Sequence, residues 1–374
     1  MSSKQLLNIL VIPDLFPMNE DDLAGIFILD WIECLKDTCR FQVFYPRLSG
    51  STKGVRHTTF HGQDVTHFRL LNKRVPSWLR PARYAQMVNE SVKIATGFKD
   101  VDIIHAHGPA IQANLAVKLG KRIGRPVVIT VHTGPFSQIS SSRPKLRVAK
   151  KALEAADVVT CVSEHLAKEI QQSGIRPKRL EVLGNPVDTE LFHPAKGPRP
   201  MNMLFVSRLD EFKGGLRTLI AFDKVKEELP EWTLTIGGDG EEYNAIKQYL
   251  DQRNLSDRVK MLGRLNKAEV AKVMQGAAFL IFPSLHESFG LVAAEALACG
   301  IPVIGTDRTA PQEYLNLKNS ITVDPMNVEE IAKAMKKMAT DHRQFEPNGV
   351  RASIEQKFGF KAFGQRLNEV YRSI

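Results

Sequence analysis

Short apolar runs of four or five residues alternate with longer helix-periodic stretches along nearly the whole chain, and this alternation limits the possible folds more than any other feature. Strand-like runs fall at Asn8–Ile12, Phe41–Tyr45, Val101–Ala106, Val127–Val131 and Val158–Val162, then at Met203–Ser207, Thr233–Gly237, Val259–Leu262, Phe279–Phe282 and Pro302–Gly305. Repeated βα units of this kind predict a parallel sheet in each half. Between the two series lies Asn185–Pro200 (NPVDTELFHPAKGPRP), a polar, Pro-rich stretch that breaks both periodicities and reads as a linker. The expected organisation is an α/β protein with two doubly wound domains, 1–184 and 201–355, joined by 185–200. A C-terminal segment, 356–374, carries an amphipathic helix from about Gly359 to Arg372. In such sheets ligands bind beyond the C-terminal ends of the strands, where the strand order reverses.

A chain of 374 residues can give both domains a core of ordinary size. The four cysteines (Cys34, Cys39, Cys161, Cys299) show no CxxC spacing, which fits a reducing cytoplasm and argues against a zinc site. The opening MSSKQLLNILVIP is too short an apolar run for a signal peptide, and no stretch approaches the length of a membrane-spanning helix. The net charge of +10 is one-sided. Residues 1–185 hold 26 Lys/Arg against 16 Asp/Glu, and residues 186–374 hold 25 of each. A basic field on one half suits an anionic partner such as acidic lipid, an acidic acceptor or nucleic acid; the plainer reading is a basic soluble surface. No nucleic-acid fold signature accompanies it.

The densest motif is HESFGLVAAEALACGIPVI, in which Glu287 and Glu295 bracket Gly290 at the expected start of a helix near Phe289. Free N–H groups at a helix start suit a phosphate oxygen, and carboxylates accept from vicinal diols such as those of a sugar or ribose. Arg208 and Lys213 follow the first strand of the second half; taken alone, an Arg and a Lys five apart read as a solvated face.

Together these segments resemble the E-x7-E motif and its companions in the retaining glycosyltransferases of family 4. FVSRLDEFKGG is similar to the family's G-R-L-x-x-x-K-G loop, with Ser207 where glycine is usual. TIGGDGEE, MLGRL, GNPVD and DVVTCVSEHL fall in the family's order. TDRTAPQEY (Thr306–Tyr314) departs from it, lacking the Gly-Gly pair that usually precedes Pro-Glu.

The resemblance implies a GT-B fold, two Rossmann-like domains facing a cleft, with donor bound mainly by the second domain and acceptor by the first, and the last helix packed back on the first. It implies transfer of a sugar from a nucleotide diphosphate sugar, UDP- or GDP-linked, to a hydroxyl with retained configuration. No metal and no further cofactor are expected. By the same resemblance Arg208 and Lys213 hold the diphosphate, backbone at Phe289, Gly290 and Leu291 supports it, Glu287 orients the sugar, Glu295 the ribose, and Arg264 and Leu265 flank the base. Gly25 brings backbone close to the donor phosphate, and His132 bonds a donor hydroxyl. A sugar-nucleotide epimerase of the same fold, or a non-catalytic basic binding protein, are the alternatives.

Several signals are discounted. His105 and His107 share one side of their strand and read as satisfied structural histidines. Ser163 and Glu164 read as a helix start. Asp100-Val101-Asp102 spells D-x-D but precedes a strand of the first domain and reads as a loop. Arg69–Tyr84 mixes basic and aromatic residues, Trp78 and Tyr84 among them, and reads as a basic loop that could meet a membrane presenting a lipid-linked acceptor; Arg143–Lys151 extends the same field.

Overall fold

The structure is a computed structural model that describes residues 6–17, 19, 22, 24–49, 53–71, 80–306 and 308–374. The chain divides into two units, Met1–Gly184 with Phe363–Ile374, and Asn185–Ala362.

The first unit is built on eight strands: β1 (Leu7–Pro13), β2 (Cys39–Ser49), β3 (Gly54–Phe60), β4 (Gln63–Leu71), β5 (Ile103–His107), β6 (Val127–Val131), β7 (Val158–Cys161) and β8 (Leu180–Val182). Their order is β3-β4-β2-β1-β5-β6-β7-β8. Strands β5, β6 and β7 are buried throughout, because helices cover both faces of a parallel sheet and leave no place for a polar side. The sequence reverses direction across the sheet between β1 and β5, which pair in register from Ile9↔Ile103 to Pro13↔His107. The residues just past β1, β5 and β6 therefore gather at one edge.

One expectation is corrected here. The first sheet is not wholly parallel: β3 runs antiparallel to β4. His61 and Gly62 both take positive φ (46° and 73°) and form the two-residue turn whose twist suits a hairpin. The strands escaped the apolar pattern because β3 is an edge strand with mostly exposed residues. The segment Arg69–Tyr84 is likewise not one loop, since Arg69–Leu71 ends β4 and Arg80 opens the helix Arg80–Ala95. Trp78 lies outside the described residues.

The terminal helix Phe360–Arg372 packs through Phe363, Gly364, Leu367, Val370 and Tyr371, a stripe at helical spacing. At Gly364 a Cβ would stand 2.4 Å from the Cys34 carbonyl oxygen, so glycine permits the helix to lie against that backbone. From Phe363 onward this helix belongs to the first unit.

The second unit carries β9 (Asn202–Val206), β10 (Thr233–Gly237), β11 (Val259–Gly263), β12 (Phe279–Ile281), β13 (Val303–Thr306) and β14 (Ser320–Val323). They are all parallel, in the order β11-β10-β9-β12-β13-β14, with the reversal between β9 and β12. Phe205, Phe222, Phe279, Leu234 and Met335 are among the residues of its core. The stretch read as a linker is folded into this unit. Phe192 is fully buried, Val187 donates to the Phe358 carbonyl, and the Arg351 guanidinium bonds the carbonyls of Thr189 and Phe192. Its prolines break the periodicity without making it loose.

Candidate active site

In the second unit the chain leaves β9 through a loop that glycines hold tightly. A Cβ at Gly238 would stand 1.8 Å from the Ser207 carbonyl oxygen, and one at Gly240 2.4 Å from that of Leu209. GGDGEE is thus a backbone clamp on the loop that carries Arg208 and Lys213, which explains its glycines without a ligand. Asp210, nearly buried, accepts from the Lys213 backbone N–H at 3.1 Å and also pairs with the Arg208 guanidinium, whose side chain is 72% exposed. The Leu285 N–H donates to the Phe212 carbonyl at 2.8 Å and stitches this loop to the one following β12. That stitch lets Lys213 Nζ donate to Glu287 Oε1 at 2.6 Å.

The helix Leu291–Ala298 begins just beyond. Gly290 stands at its N-cap with φ +83°, and no side chain caps it, so the N–H groups of Leu291 and Val292 are available to a ligand or to water, while that of Ala293 donates to the Gly290 carbonyl. A Cβ at Gly290 would meet Pro311 Cγ at 2.6 Å and Tyr314 Oη at 2.8 Å. Tyr314 Oη lies within donating distance of the carbonyls of Phe289 (2.9 Å) and Gly290 (2.7 Å). Burial raises the pKa of this phenol well above its ordinary value, and the carboxylates of Glu287, Glu313 and Glu295 add to the rise, which places Tyr314 in electrostatic range of both motif glutamates. Glu295, in the second turn of the helix, is 7% exposed. The segment lacking the family's glycines therefore forms a 3-10 turn, Ala310–Glu313, whose following tyrosine holds the helix start. Leu265 packs over Gly237, where a Cβ would come within 2.7 Å of its Cδ1, and Arg264 is exposed beside it.

In the first unit a cavity of about 220 Å³ opens at the β1/β5 reversal, lined by Asp14, Leu15, Phe27, Ile28, His107, Gly108, His132 and Thr133. His132 Nε2 and His107 Nδ1 share a hydrogen bond at 2.8 Å. His105 is bonded on both nitrogens, Nδ1 to Tyr371 Oη and Nε2 to Thr130 Oγ1, each at 2.6 Å, as a satisfied structural histidine should be. Desolvation, aided by His132, lowers the His105 pKa to about 3, and that of His107 falls well below its ordinary value for the same reason. Trp31 stands edge-on to all three imidazoles and to Phe363.

Gly25 has φ +78°, and a Cβ there would stand 2.2 Å from the Leu15 carbonyl oxygen. The close approach that requires glycine is thus to the chain's own loop. Asp102 accepts from the backbone and side-chain N–H groups of Asn8, so the second aspartate of the D-x-D is a structural tie. Ser163 caps its helix through Leu166 N–H at 3.1 Å. Asp14 and Tyr314 were not legible as site residues. The only sequence signals were the position of Asp14 directly after a strand and of Tyr314 within the aberrant TDRTAPQEY.

Two units, each a mainly parallel sheet with candidate residues gathered past its strand ends, have the architecture of the GT-B glycosyltransferases. Residues 188–351 match the model for glycosyl transferases group 1, and residues 24–191 that for glycosyltransferase family 4. An uncharacterized glycosyltransferase of Methanocaldococcus jannaschii is 30% identical over 281 residues, covering 71% of this chain and 77% of that one. The gpi3 subunit of phosphatidylinositol N-acetylglucosaminyltransferase from Schizosaccharomyces pombe is 25% identical over 284 residues, 74% of this chain and 62% of that one. Anabaena HepE, solved in complex with UDP, shares the fold with a TM-score of 0.79 at 21% identity, over 98% of this chain and 100% of that one. The chain belongs to the family 4 glycosyltransferases. Among the described residues no helix is long and apolar enough to cross a membrane.

Proposed function

We propose that this chain transfers a sugar from a nucleotide diphosphate sugar to an acceptor hydroxyl, with retention and without a metal ion. The observation that carries the reading is the Lys213–Glu287 contact beside an uncapped helix start. In this reading Lys213 and Arg208 stabilise the charge that develops on the departing diphosphate, and the N–H groups at Phe289–Leu291 share that load. Glu287 turns from Lys213 toward a hydroxyl of the donor sugar, and Glu295 accepts from the ribose diol. His132 bonds a hydroxyl from the first unit. The departing phosphate itself takes the acceptor proton, since no side chain is assigned as base.

UDP, carried by HepE, and the lipid named in the yeast relative make a UDP-sugar and a lipid-linked acceptor the first choices, with GDP-sugars next. The helix Arg143–Ala155 supports reversible contact with acidic membrane. It turns Arg143, Lys145, Arg147, Lys150 and Lys151 to solvent while burying Ala149, Ala152 and Leu153. A thermal-shift screen against UDP-, GDP- and ADP-sugars tests the donor, because a selective ligand stabilises by mass action. Absence of any shift would remove the reading, and loss of turnover in EDTA restored by Mg2+ would remove its metal-independent part.

A further inference from the structure

Arg217 sits in the first turn of the helix Gly215–Val225, where a cation opposes the helix dipole, so helix stability does not account for it. Its partners do. Nε donates to the Pro325 carbonyl at 2.8 Å, Nη1 to that of Glu211 at 2.7 Å and Nη2 to that of Pro283 at 3.2 Å. These oxygens lie on three separate loops, which follow β9, β12 and β14. The side chain is half-buried and all three partners are carbonyls, so it supplies directed geometry more than charge neutralisation. Gly214 makes room for it: a Cβ there would stand 2.7 Å from Arg217 Nη2 and 3.0 Å from the Pro283 carbonyl oxygen.

Two of those loops carry the paired site residues. Lys213 closely follows Glu211, Glu287 closely follows Pro283, and Lys213 Nζ meets Glu287 Oε1 at 2.6 Å. The backbone bond from Leu285 to Phe212 joins the same loops at one point. A single hydrogen bond leaves two loops free to pivot, and a second fixed point removes that freedom. We propose that Arg217 is a positioning residue for the transfer: it holds the Lys213 loop at its distance from the Glu287 loop, and so sets where Lys213 meets the departing diphosphate, without touching substrate itself. This inference rests on the glycosyl-transfer reading. Such positioning is costly to lose, since a misplacement of about 1 Å can lower a rate by about a hundredfold.

The test is steady-state kinetics of Arg217→Lys, alone and in a Lys213→Ala background, on the nucleotide sugar found by the thermal screen. Lysine keeps the charge but not the planar fork, so it serves fewer of the three carbonyls. Turnover should fall by about tenfold to a hundredfold with donor KM within about threefold, the pattern of an interaction lost from the transition state. In the Lys213→Ala background the same substitution should cost no more than about twofold, because Arg217 acts through Lys213. A purely structural role lowers turnover by the same factor in both backgrounds, and that result overturns the proposal. Near-wild-type turnover in Arg217→Lys, with loss only in Arg217→Gln, also overturns it, because charge alone then accounts for the residue.

A crystal structure of Arg217→Lys reads the same claim without turnover. Lys213 Nζ should leave hydrogen-bond distance of Glu287 Oε1, a shift of about 1 Å or more. A contact kept at 2.6 Å overturns the proposal. Arg217→Gln, whose amide also serves fewer carbonyls, gives the same measurement if the lysine variant does not fold. If wild type turns over no nucleotide sugar, the glycosyl-transfer reading fails, and this distance still decides whether Arg217 holds the two loops.

Discussion

Lys213 Nζ and Glu287 Oε1 stand 2.6 Å apart, with side chains only 21% and 12% exposed, although 74 positions separate them in sequence. The two residues expected to serve adjoining parts of a sugar nucleotide, the diphosphate and the sugar, are thus partners of each other. The pairing is coherent chemically. In the proposed reading a diphosphate arriving at Lys213 would supply the negative charge that Glu287 supplies otherwise, and would release the carboxylate for a hydroxyl.

The cations come first. Arg208→Ala and Lys213→Ala should each reduce turnover by about two to three orders of magnitude, as for loss of one preorganised electrostatic donor. Steady-state kinetics on the nucleotide sugar found by the thermal screen would check this. Near-normal turnover in the double variant would withdraw the assignment.

The two glutamates should separate by ligand. Glu295→Gln should weaken the bare nucleotide diphosphate, and Glu287→Gln should mainly impair the intact sugar nucleotide. Isothermal calorimetry with both ligands distinguishes them, and wild-type nucleotide affinity in Glu295→Gln would end its ribose role.

Tyr314→Phe removes the hydroxyl that serves the Phe289 and Gly290 carbonyls. The expected loss is about 1–3 kcal/mol in urea unfolding, the cost of leaving the Phe289 carbonyl without its donor, since the Gly290 carbonyl also accepts from the Ala293 and Ala294 N–H groups. Nucleotide affinity should fall as well, because the helix start loosens. Unchanged stability would mean that the carbonyls find other donors.

His105 should give the protein an acid-sensitive step. Its folded pKa of about 3 lies below the ordinary 6.5, so between these values the unfolded chain binds the proton and the folded one does not. The contribution is complete above about pH 6.5 and is lost as pH falls toward 3, by at most about 5 kcal/mol. Urea titrations from pH 7.5 to 5 should show a slope that His105→Gln reduces. Equal slopes in both proteins would contradict the neutral, twice-bonded imidazole.

Membrane contact is tested by liposome co-sedimentation with and without acidic lipid, at low and high salt. Pelleting only with acidic lipid at low salt is expected, since each basic residue near an anionic surface adds roughly 1 kcal/mol. Replacing Arg143, Lys145 and Arg147 with Gln should reduce it. Equal recovery in the supernatant under all conditions would leave a soluble acceptor.

Much of the architecture was readable because it is local. β6 and β10 occupy the ranges their apolar runs mark, and the last helix begins within a residue of its expected start. The β3–β4 hairpin was not readable, because its exposed edge strand carries no apolar alternation and its turn is His61-Gly62 rather than Asn-Gly. The path of TDRTAPQEY was unreadable for a different reason, since Tyr314 finds its carbonyl partners 24 and 25 residues back along the chain.

By itself the sequence determined two series of βα units, the order of the family 4 motifs and the half of the chain that holds the excess charge. These follow from periodicity, residue identity and spacing, which need no knowledge of what lies beside what. Only the tertiary structure decided that Lys213 pairs with Glu287 and that His107 shares a hydrogen bond with His132. Those contacts depend on β9 lying beside β12 and β5 beside β6, and neighbours across a sheet are set by strand order, which local periodicity does not encode.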